Sequence, residues 1–489
     1  MLSLNDHSLK MCDGIPRREA IRIGGLSAVG LTLPHLLSLK ANANPQESSP
    51  NHSAASPGFG KAKSVILFWL LGGAPQHESW DPKPQAPSQI RGEFGSIPTV
   101  VPGINIGELM PRTASHVDKL AILRAVVTKD QAHSSSGYQM LTGVPHIPLS
   151  QENVTSKAPN LSPSHAAMMR VLRPDSDGLP SSIALPYHIA NDGEIIWPGQ
   201  KAGILGRQYD PWQLYCDPSE SDFSVPDLSF PQDIAAGRFD SRRQLLEQLN
   251  RYRQQAIAVS GAHGNGLAAN LVAQINPENE FEKKSQQAFE LLAGNSARKA
   301  FRLHEESDPV RDRYGRYRFG QSCLLARRLV QAGVSLVQVN WTRVDGKANN
   351  GTWDTHRDHC ASLKSFLMPM MDQTYSALIE DLHQQGMLEE TLVVWISEFG
   401  HTPRINGNAG RDHWGNCFSI AMAGGGIQGG MTHGQSDPHA AYPVADIVTP
   451  ADVTATMFHC LGHSPDTMLQ DQTGRPFPLT RGSVIETIV

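Results

Sequence analysis

The residues Ser64–Leu71 (SVILFWLL) run without polar alternation and stop at Gly72-Gly73. A strand that offers neither face to water belongs inside a sheet covered on both sides, and such sheets are mostly parallel with helices on both faces. The run is too short to cross a bilayer, which takes about 20 apolar residues. Leu120–Val127, Val334–Asn340 (VSLVQVN), Leu392–Ile396 (LVVWI) and Phe418–Ala423 read as further strands. Helical spacing appears over Phe319–Ala332, which stops at Gly333, and over Ala361–Gln384, where Pro369 predicts a bend. Thr449-Pro450-Ala451-Asp452 supplies an N-cap, a proline at N1 and an acidic N3 for a helix to about Leu461. A helix over His133–Gly143 would start just after the second strand, with serines available to cap it. Strands alternating with amphipathic helices predict an α/β fold with a doubly wound, mostly parallel sheet. Between about 144 and 309 the pattern loosens into a large insertion expected to cover or shape a site, with helices around Ser241–Val259 and Glu280–Leu292.

The chain begins with an address. Arg17-Arg18 precede the modestly apolar run Ile21–Leu39, and Ala41-Asn42-Ala43 follows as a small-x-small cleavage pattern. These features predict a signal peptide of the twin-arginine type over 1–43, handled by the machinery that exports proteins already folded. Gly24, Gly25, Gly30 and Pro34 would weaken the same segment as a helix of the mature fold. Residues 44–60 are rich in Ser, Pro, Asn and Gly and read as a linker, leaving 61–489 as one domain in a periplasmic or secreted protein. No later run is apolar enough for a membrane span.

Composition narrows the partners. The net charge is −5, from 42 Lys and Arg against 47 Asp and Glu, so nothing attracts a nucleic-acid backbone. The Cys residues, 6 in all, form no C-x-x-C pair, which excludes a zinc ribbon or a dithiol redox motif.

Ligands of open parallel sheets bind at the C-terminal strand ends. The predicted strands are followed there by Gln76, His77, Glu78 and Asp81, then by Asp130, His133 and Ser134–Ser136. Trp353-Asp354-Thr355-His356-Arg357-Asp358-His359 comes next, then Ser397-Glu398-Phe399-Gly400-His401, then Gly410-Arg411-Asp412-His413-Trp414. Carboxylate and imidazole meeting from separate loops are what a divalent metal needs, zinc first, with manganese, calcium or magnesium as alternatives. Two such ions roughly 3.5–4 Å apart could hold a phosphoryl or sulfuryl oxygen during in-line attack. Each piece also has a plainer reading. Ser134–Ser136 could simply cap a helix, His459 falls within a predicted helix as a core residue, and Arg404 and Arg411 could pair with an oxyanion or with surface carboxylates.

The stretches LGGAPQHESWDPKP (Leu71–Pro84), AHSSSGYQMLTG (Ala132–Gly143), WDTH (Trp353–His356), SEFGHTPR (Ser397–Arg404), GRDHW (Gly410–Trp414) and VTPADVTATMFHCLG (Val448–Gly462) resemble the exported domain-of-unknown-function 1501 family of planctomycetes and related bacteria. That family is grouped with the alkaline phosphatase/sulfatase-like superfamily. The resemblance implies an alkaline phosphatase-like core with two metals at its rim. On it, Asp354 and His356 are similar to the Asp and His that hold one metal, Glu398 to the carboxylate of the second, and His413, beside Asp412, to the late metal histidine. His133–Gly143 looks like the nucleophile segment, making Ser134 or a neighbour the attacking group and His133 the residue that orients it or ligates.

Two positions depart from the superfamily pattern. Gly73-Ala74 stands where its first metal Asp usually follows the first strand, leaving His77 or Asp81 as substitutes. Phe399 replaces a ligand His, with His401 two residues on. The formylglycine sulfatase motif has its nearest match at Cys216-Asp217-Pro218-Ser219-Glu220, which carries Glu where Arg is required and comes too late in the chain. The expected function is an exported metal-dependent hydrolase of phosphate or sulfate esters, on a small-molecule or polysaccharide substrate. The alternative is a non-catalytic exported binding protein that keeps the fold and one metal. In the enzyme reading, either Ser134 or an activated water attacks.

Overall fold

The computed structural model describes residues 56–175, 178–191, 195–225 and 295–489, with a few positions between 241 and 252. The segment 1–43, most of the linker and nearly all of the predicted helices at 241–259 and 280–292 lie outside the described residues.

The central sheet holds β1 (Ser64–Trp69), β2 (Leu120–Val126), β3 (Ser182–Leu185), β4 (Trp212–Gln213), β5 (Leu336–Asn340), β6 (Thr391–Ile396), β7 (Phe418–Ala423) and β8 (Met431–His433). Their order across the sheet is β8-β2-β7-β6-β1-β5-β3-β4. The apolar run Ser64–Trp69 sits in the middle. β1 pairs in parallel with β5 on one side and β6 on the other, and every residue from Ser64 to Trp69 is buried. The fold is α/β with a mostly parallel sheet. β7 departs from it, running antiparallel to both β6 and β2, with Phe418 opposite Val126 at the end of β2. This reversal brings the start of β7 to the rim where its neighbours end.

Helices cover both faces: α1 (His133–Thr142), α2 (His165–Leu172), α3 (Asp308–Tyr314), α4 (Arg318–Gln331), α5 (Met368–Gln384) and α6 (Pro450–Cys460). One group is knit by Phe68 of β1, whose ring meets Phe319 of α4 at 4.7 Å and Tyr375 of α5 at 5.2 Å. Tyr314 of α3 donates to Asp381 of α5 at 2.8 Å. In the other group His165 of α2 bonds Thr454 of α6 at 2.8 Å. Among the described residues no helix is long and apolar enough to cross a membrane.

Three local expectations change. The helix predicted over Ala361–Gln384 is not merely bent. A short helix (His359–Ser362) passes through a π turn (Leu363–Leu367) into α5, which has Pro369 in its first turn. The serines do not cap α1. Ala132 occupies the N-cap with no side-chain bond, and Glu152 accepts the His133 N–H at 2.8 Å instead. Finally, the region read as an insertion contributes α2, β3 and β4 to the core. Strands that short are too brief to show a period among prolines and glycines.

The capping box of α6 forms as its residues require. Asp452 N–H donates to Thr449 Oγ1 at 3.3 Å, and Thr449 N–H donates to Asp452 Oδ2 at 2.9 Å. Thr449→Ala is expected to lower unfolding stability by about 1 kcal/mol in urea titration, with no change in metal content.

Candidate metal centre

The rim is assembled by backbone bonds between loops. Trp341 N–H donates to Trp69 O at 2.8 Å and Trp353 N–H to Leu71 O at 2.9 Å, so the loop after β5 is laced to the loop after β1. The buried Trp341 and Trp353 rings meet edge to face at 5.4 Å beneath it. This lacing delivers Asp354 against Gly72, so closely that a Cβ on Gly72 would lie 2.2 Å from Asp354 N. Gly73 is equally confined, since a Cβ there would lie 2.8 Å from the Phe399 ring. Both glycines also have positive φ, at +111° and +91°. Neither Gly72 nor Gly73 therefore has room for a side chain.

Glu398, at the end of β6, is fully buried, and its Oε1 accepts the Gly72 N–H at 2.7 Å. The same oxygen faces His133 Nδ1 at 2.9 Å. His133 opens α1, so the helix start is tied to the β6 loop. Ser136 adds to this tie by donating to Glu398 O at 2.6 Å.

Three imidazoles then turn to one carboxylate. His133 Nε2 lies 3.3 Å from Asp354 Oδ2. His356 Nε2 and His413 Nε2 lie 2.9 and 3.0 Å from Asp354 Oδ1 and 3.1 Å from each other. Each ring's Nδ1 faces a group that can only accept: Glu398 for His133, Asp412 Oδ1 at 2.8 Å for His356, and Gln131 O at 2.8 Å for His413. Each Nδ1 must therefore carry its hydrogen. In the neutral rings all three Nε2 lone pairs then converge on one anionic carboxylate. That arrangement repels itself unless positive charge sits among the atoms.

Protons or a cation can meet the demand. Burial opposes the charged form of His133, but bonds and charge from Asp354 and Glu398 win and raise it to about 10. Asp354 raises His356 to about 9 against its burial. Asp354 is held far below the usual carboxylate range by the three imidazoles, although burial acts the other way. A divalent ion fits the donor set: His133, Asp354 and His413 each offer an atom within 4.8 Å of the others, and His356, outside that group of three, stands beside it on Asp354 and His413. Imidazole Nε2 toward the ion, with Nδ1–H on a carboxylate or carbonyl behind, is the usual way proteins orient metal histidines.

Not every expected residue joins this cluster. Asp412 stands behind His356, also accepting from Asn406 Nδ2 at 3.1 Å. Ser134 is fully buried and its hydroxyl donates to Glu152 Oε1 at 3.2 Å, away from Asp354. His77 is buried with Nε2 on His439 O at 2.8 Å, and burial, followed by the Arg411 charge, lowers its pKa to about 4. Asp81 accepts from Ser436 and pairs with Lys83 at 2.9 Å. His401 is fully buried, edge-on to His359 at 5.4 Å, and neither ring nitrogen has a hydrogen-bond partner. Phe399 stacks on His413 with centroids 4.4 Å apart, walling the cluster on the side where a ligand was expected. His459 is a buried residue on Pro57 O at 2.8 Å, and Arg404 is exposed.

Arg411 does not reach for an oxyanion either. It is fully buried, with Nη2 and Nε on Glu78 Oε1 at 2.6 and 3.1 Å, Nη1 on Thr402 O at 3.0 Å and Nη2 also on Ile90 O at 2.8 Å. Burial works against ionisation of Glu78, yet Arg411 and His359 hold it well below its ordinary range. This network fixes the loop that carries Asp412 and His413.

The cluster opens onto a cavity of about 640 Å³. Its wall includes Glu152, Asn191, Trp197, Arg343 and Arg357, none of them given a role from sequence. Arg357 follows His356 directly and was within reach of motif reading. Glu152, Asn191 and Trp197 come from the region without a pattern.

A family model described as "Protein of unknown function (DUF1501)" matches residues 62–489. The chain belongs to that family. Among solved structures it is similar to the PsFucS1 sulfatase from Pseudoalteromonas sp., at 12% identity over 84% of this chain and 68% of that one, with a TM-score of 0.36. No curated protein matches it.

Arg411→Met would strand the buried Glu78 charge. It is expected to lower unfolding stability by about 3–5 kcal/mol in denaturant titration. The same variant should bind metal more weakly by elemental analysis, since the His413 loop loses its clamp.

Proposed function

We propose that this DUF1501 protein is an exported, metal-dependent hydrolase of phosphate or sulfate esters. In this reading it follows the twin-arginine route, loses residues 1–43 and works in the periplasm or outside the cell. The observation that supports it best is the meeting of three imidazole Nε2 atoms at Asp354 on the wall of a cavity that also carries Arg343 and Arg357. Zinc suits such an imidazole-rich set best, ahead of manganese, calcium or magnesium. A divalent ion held there supplies Lewis acidity toward an ester oxygen and makes a water acidic enough to attack at neutral pH.

The chain's own residues do the rest. Asp354, His133, His356 and His413 hold the ion. Glu398 and Asp412, assigned by sequence to the ion itself, serve in this reading as acceptors that orient His133 and His356. Arg343 and Arg357 receive the anionic oxygens of a tetrahedral phosphoryl or sulfuryl group. Trp197, stacked on His133 with centroids 5.5 Å apart, and Phe399 exclude water from one side and so strengthen every charge interaction there.

The attacking group in this proposal is water rather than Ser134. The Ser134 hydroxyl is buried against Glu152, with Asn191 Nδ2 3.5 Å away, and does not line the cavity.

Asp354→Asn and His413→Ala are expected to remove bound metal in elemental analysis and to reduce turnover of p-nitrophenyl phosphate or p-nitrophenyl sulfate by about 100-fold or more. Ser134→Ala should leave turnover in place, whereas its loss would return the serine to the attacking role. Metal binding with no turnover of any ester would assign the protein to the non-catalytic binding class. Unchanged metal content in both variants would refute the centre itself.

A further inference from the structure

The metal cavity is not closed on all sides. A second cavity of about 390 Å³ adjoins it, and the two share Leu71, Ala190 and Arg343 as walls. Two tyrosines line the second one, Tyr187 at 37% and Tyr215 at 60% exposure. Both come off the C-terminal ends of neighbouring parallel strands. Tyr187 follows β3 after Pro186, and Tyr215 follows β4 after Leu214. They therefore stand on the rim that carries the metal cluster. Their ring centroids are 6.2 Å apart with planes at 48°.

The backbone beneath these rings is held. Asn340 Nδ2 donates to Tyr187 O at 2.8 Å, and Cys216 N–H donates to Pro186 O at 3.3 Å. The Arg318 guanidinium lies over the Tyr187 ring at 5.4 Å and is itself held by Asp217 at 2.7 Å. Exposed, pre-positioned aromatic surface beside a polar cavity is a binding feature, because burying it gains apolar area at little cost in side-chain order.

The rest of the lining identifies the chemistry. Thr342, Arg343, Asp345 and His188 border the rings, and His188 Nδ1 has no hydrogen-bond partner. An acyl chain or a simple aromatic group would desolvate these polar side chains without pairing them. A pyranose ring does not. Its C–H face packs flat on an aromatic ring while its equatorial hydroxyls reach outward to carboxylate, guanidinium and imidazole.

We infer that the Tyr187–Tyr215 cavity is a glycan subsite, and that the ester cleaved at the metal centre is borne on an oligo- or polysaccharide whose next sugar unit stacks on these tyrosines. The inference rests on the proposed hydrolase for the ester, but the stacking site stands on its own geometry. Arg343, common to both cavities, lies where the esterified unit joins its neighbour.

The test uses the mature, zinc-loaded protein. Oligosaccharides of galactose, glucose, mannose or fucose, neutral and sulfated or phosphorylated, are titrated calorimetrically, and hydrolysis of p-nitrophenyl sulfate and p-nitrophenyl phosphate is followed alongside. At least one oligosaccharide series should bind more tightly with added sugar units. The double variant Tyr187→Ala/Tyr215→Ala should weaken that binding about tenfold while leaving p-nitrophenyl ester turnover unchanged. The double Phe variant should restore it, because stacking needs the ring and not the hydroxyl. The inference falls if no oligosaccharide binds, if the Ala variant binds as the parent does, or if it loses p-nitrophenyl ester turnover in parallel. Neutral glycan binding that depends on the tyrosines, without hydrolysis of any ester, would sink the hydrolase reading and leave the subsite standing.

Discussion

A partly buried carboxylate, Asp354, sets the terms for the whole rim of this protein. Three histidines from three loops bring a nitrogen within 2.9–3.3 Å of its oxygens. Behind each of them an acceptor fixes the proton on the far side of the ring. Lone pairs gathered around an anion are stable only if a positive charge lies among them. The charge can be protons or an ion, but it cannot be absent. The surrounding fold makes sense as a device for holding that arrangement, and its parts are bonded to one another as well as to Asp354.

Two features of the fold make the arrangement reachable. The first is close contact between loops. Gly72 and Gly73 let the loop after β1 pass against Asp354 and Phe399 at distances no side chain would allow. The second feature is the antiparallel β7. A parallel strand would enter the sheet from the opposite edge and carry the residues just before it away from the site. Because β7 runs backward, the connection from β6 leaves and re-enters at the same rim, bringing Glu398 near its start and His413 near its end. The buried Glu78–Arg411 pair then holds that connection in shape from beneath.

The region from 144 to 309 contributes both to the sheet and to the cavity in its described part. It completes one side of the sheet with β3 and β4 and supplies Glu152, Asn191 and Trp197 to the metal cavity. Glu152 takes the place a capping serine was expected to hold at α1, accepting its first N–H, and a carboxylate there also suits the positive end of the helix. Tyr187 and Tyr215 belong to the same stretch. The stretch with least sequence pattern thus lines part of both cavities.

How far each element was legible follows from the range of the forces that make it. Period and burial are local, so β1, β6, α4 and the capped α6 could be read from neighbours in the chain to within a residue or two. The chemistry at the rim was legible as residue type: His133, His356 and His413 meet Asp354, and Glu398 and Asp412 stand behind two of the rings. Their division of labour was not. Whether a carboxylate faces an ion or stands behind a histidine depends on a ring rotation and on loop lacing through Trp341 and Trp353, which sequence spacing does not encode. The burial of Ser134 against Glu152 and the locking of Arg411 by Glu78 likewise join residues far apart in the chain. The amino-acid order by itself determined the long buried strands, the amphipathic helices beside them and the residue types that gather at the rim. Only the packing of the chain against itself decided where β3, β4 and α2 complete the core and which rim residues face Asp354, because those choices are made by contacts across the fold and not along it.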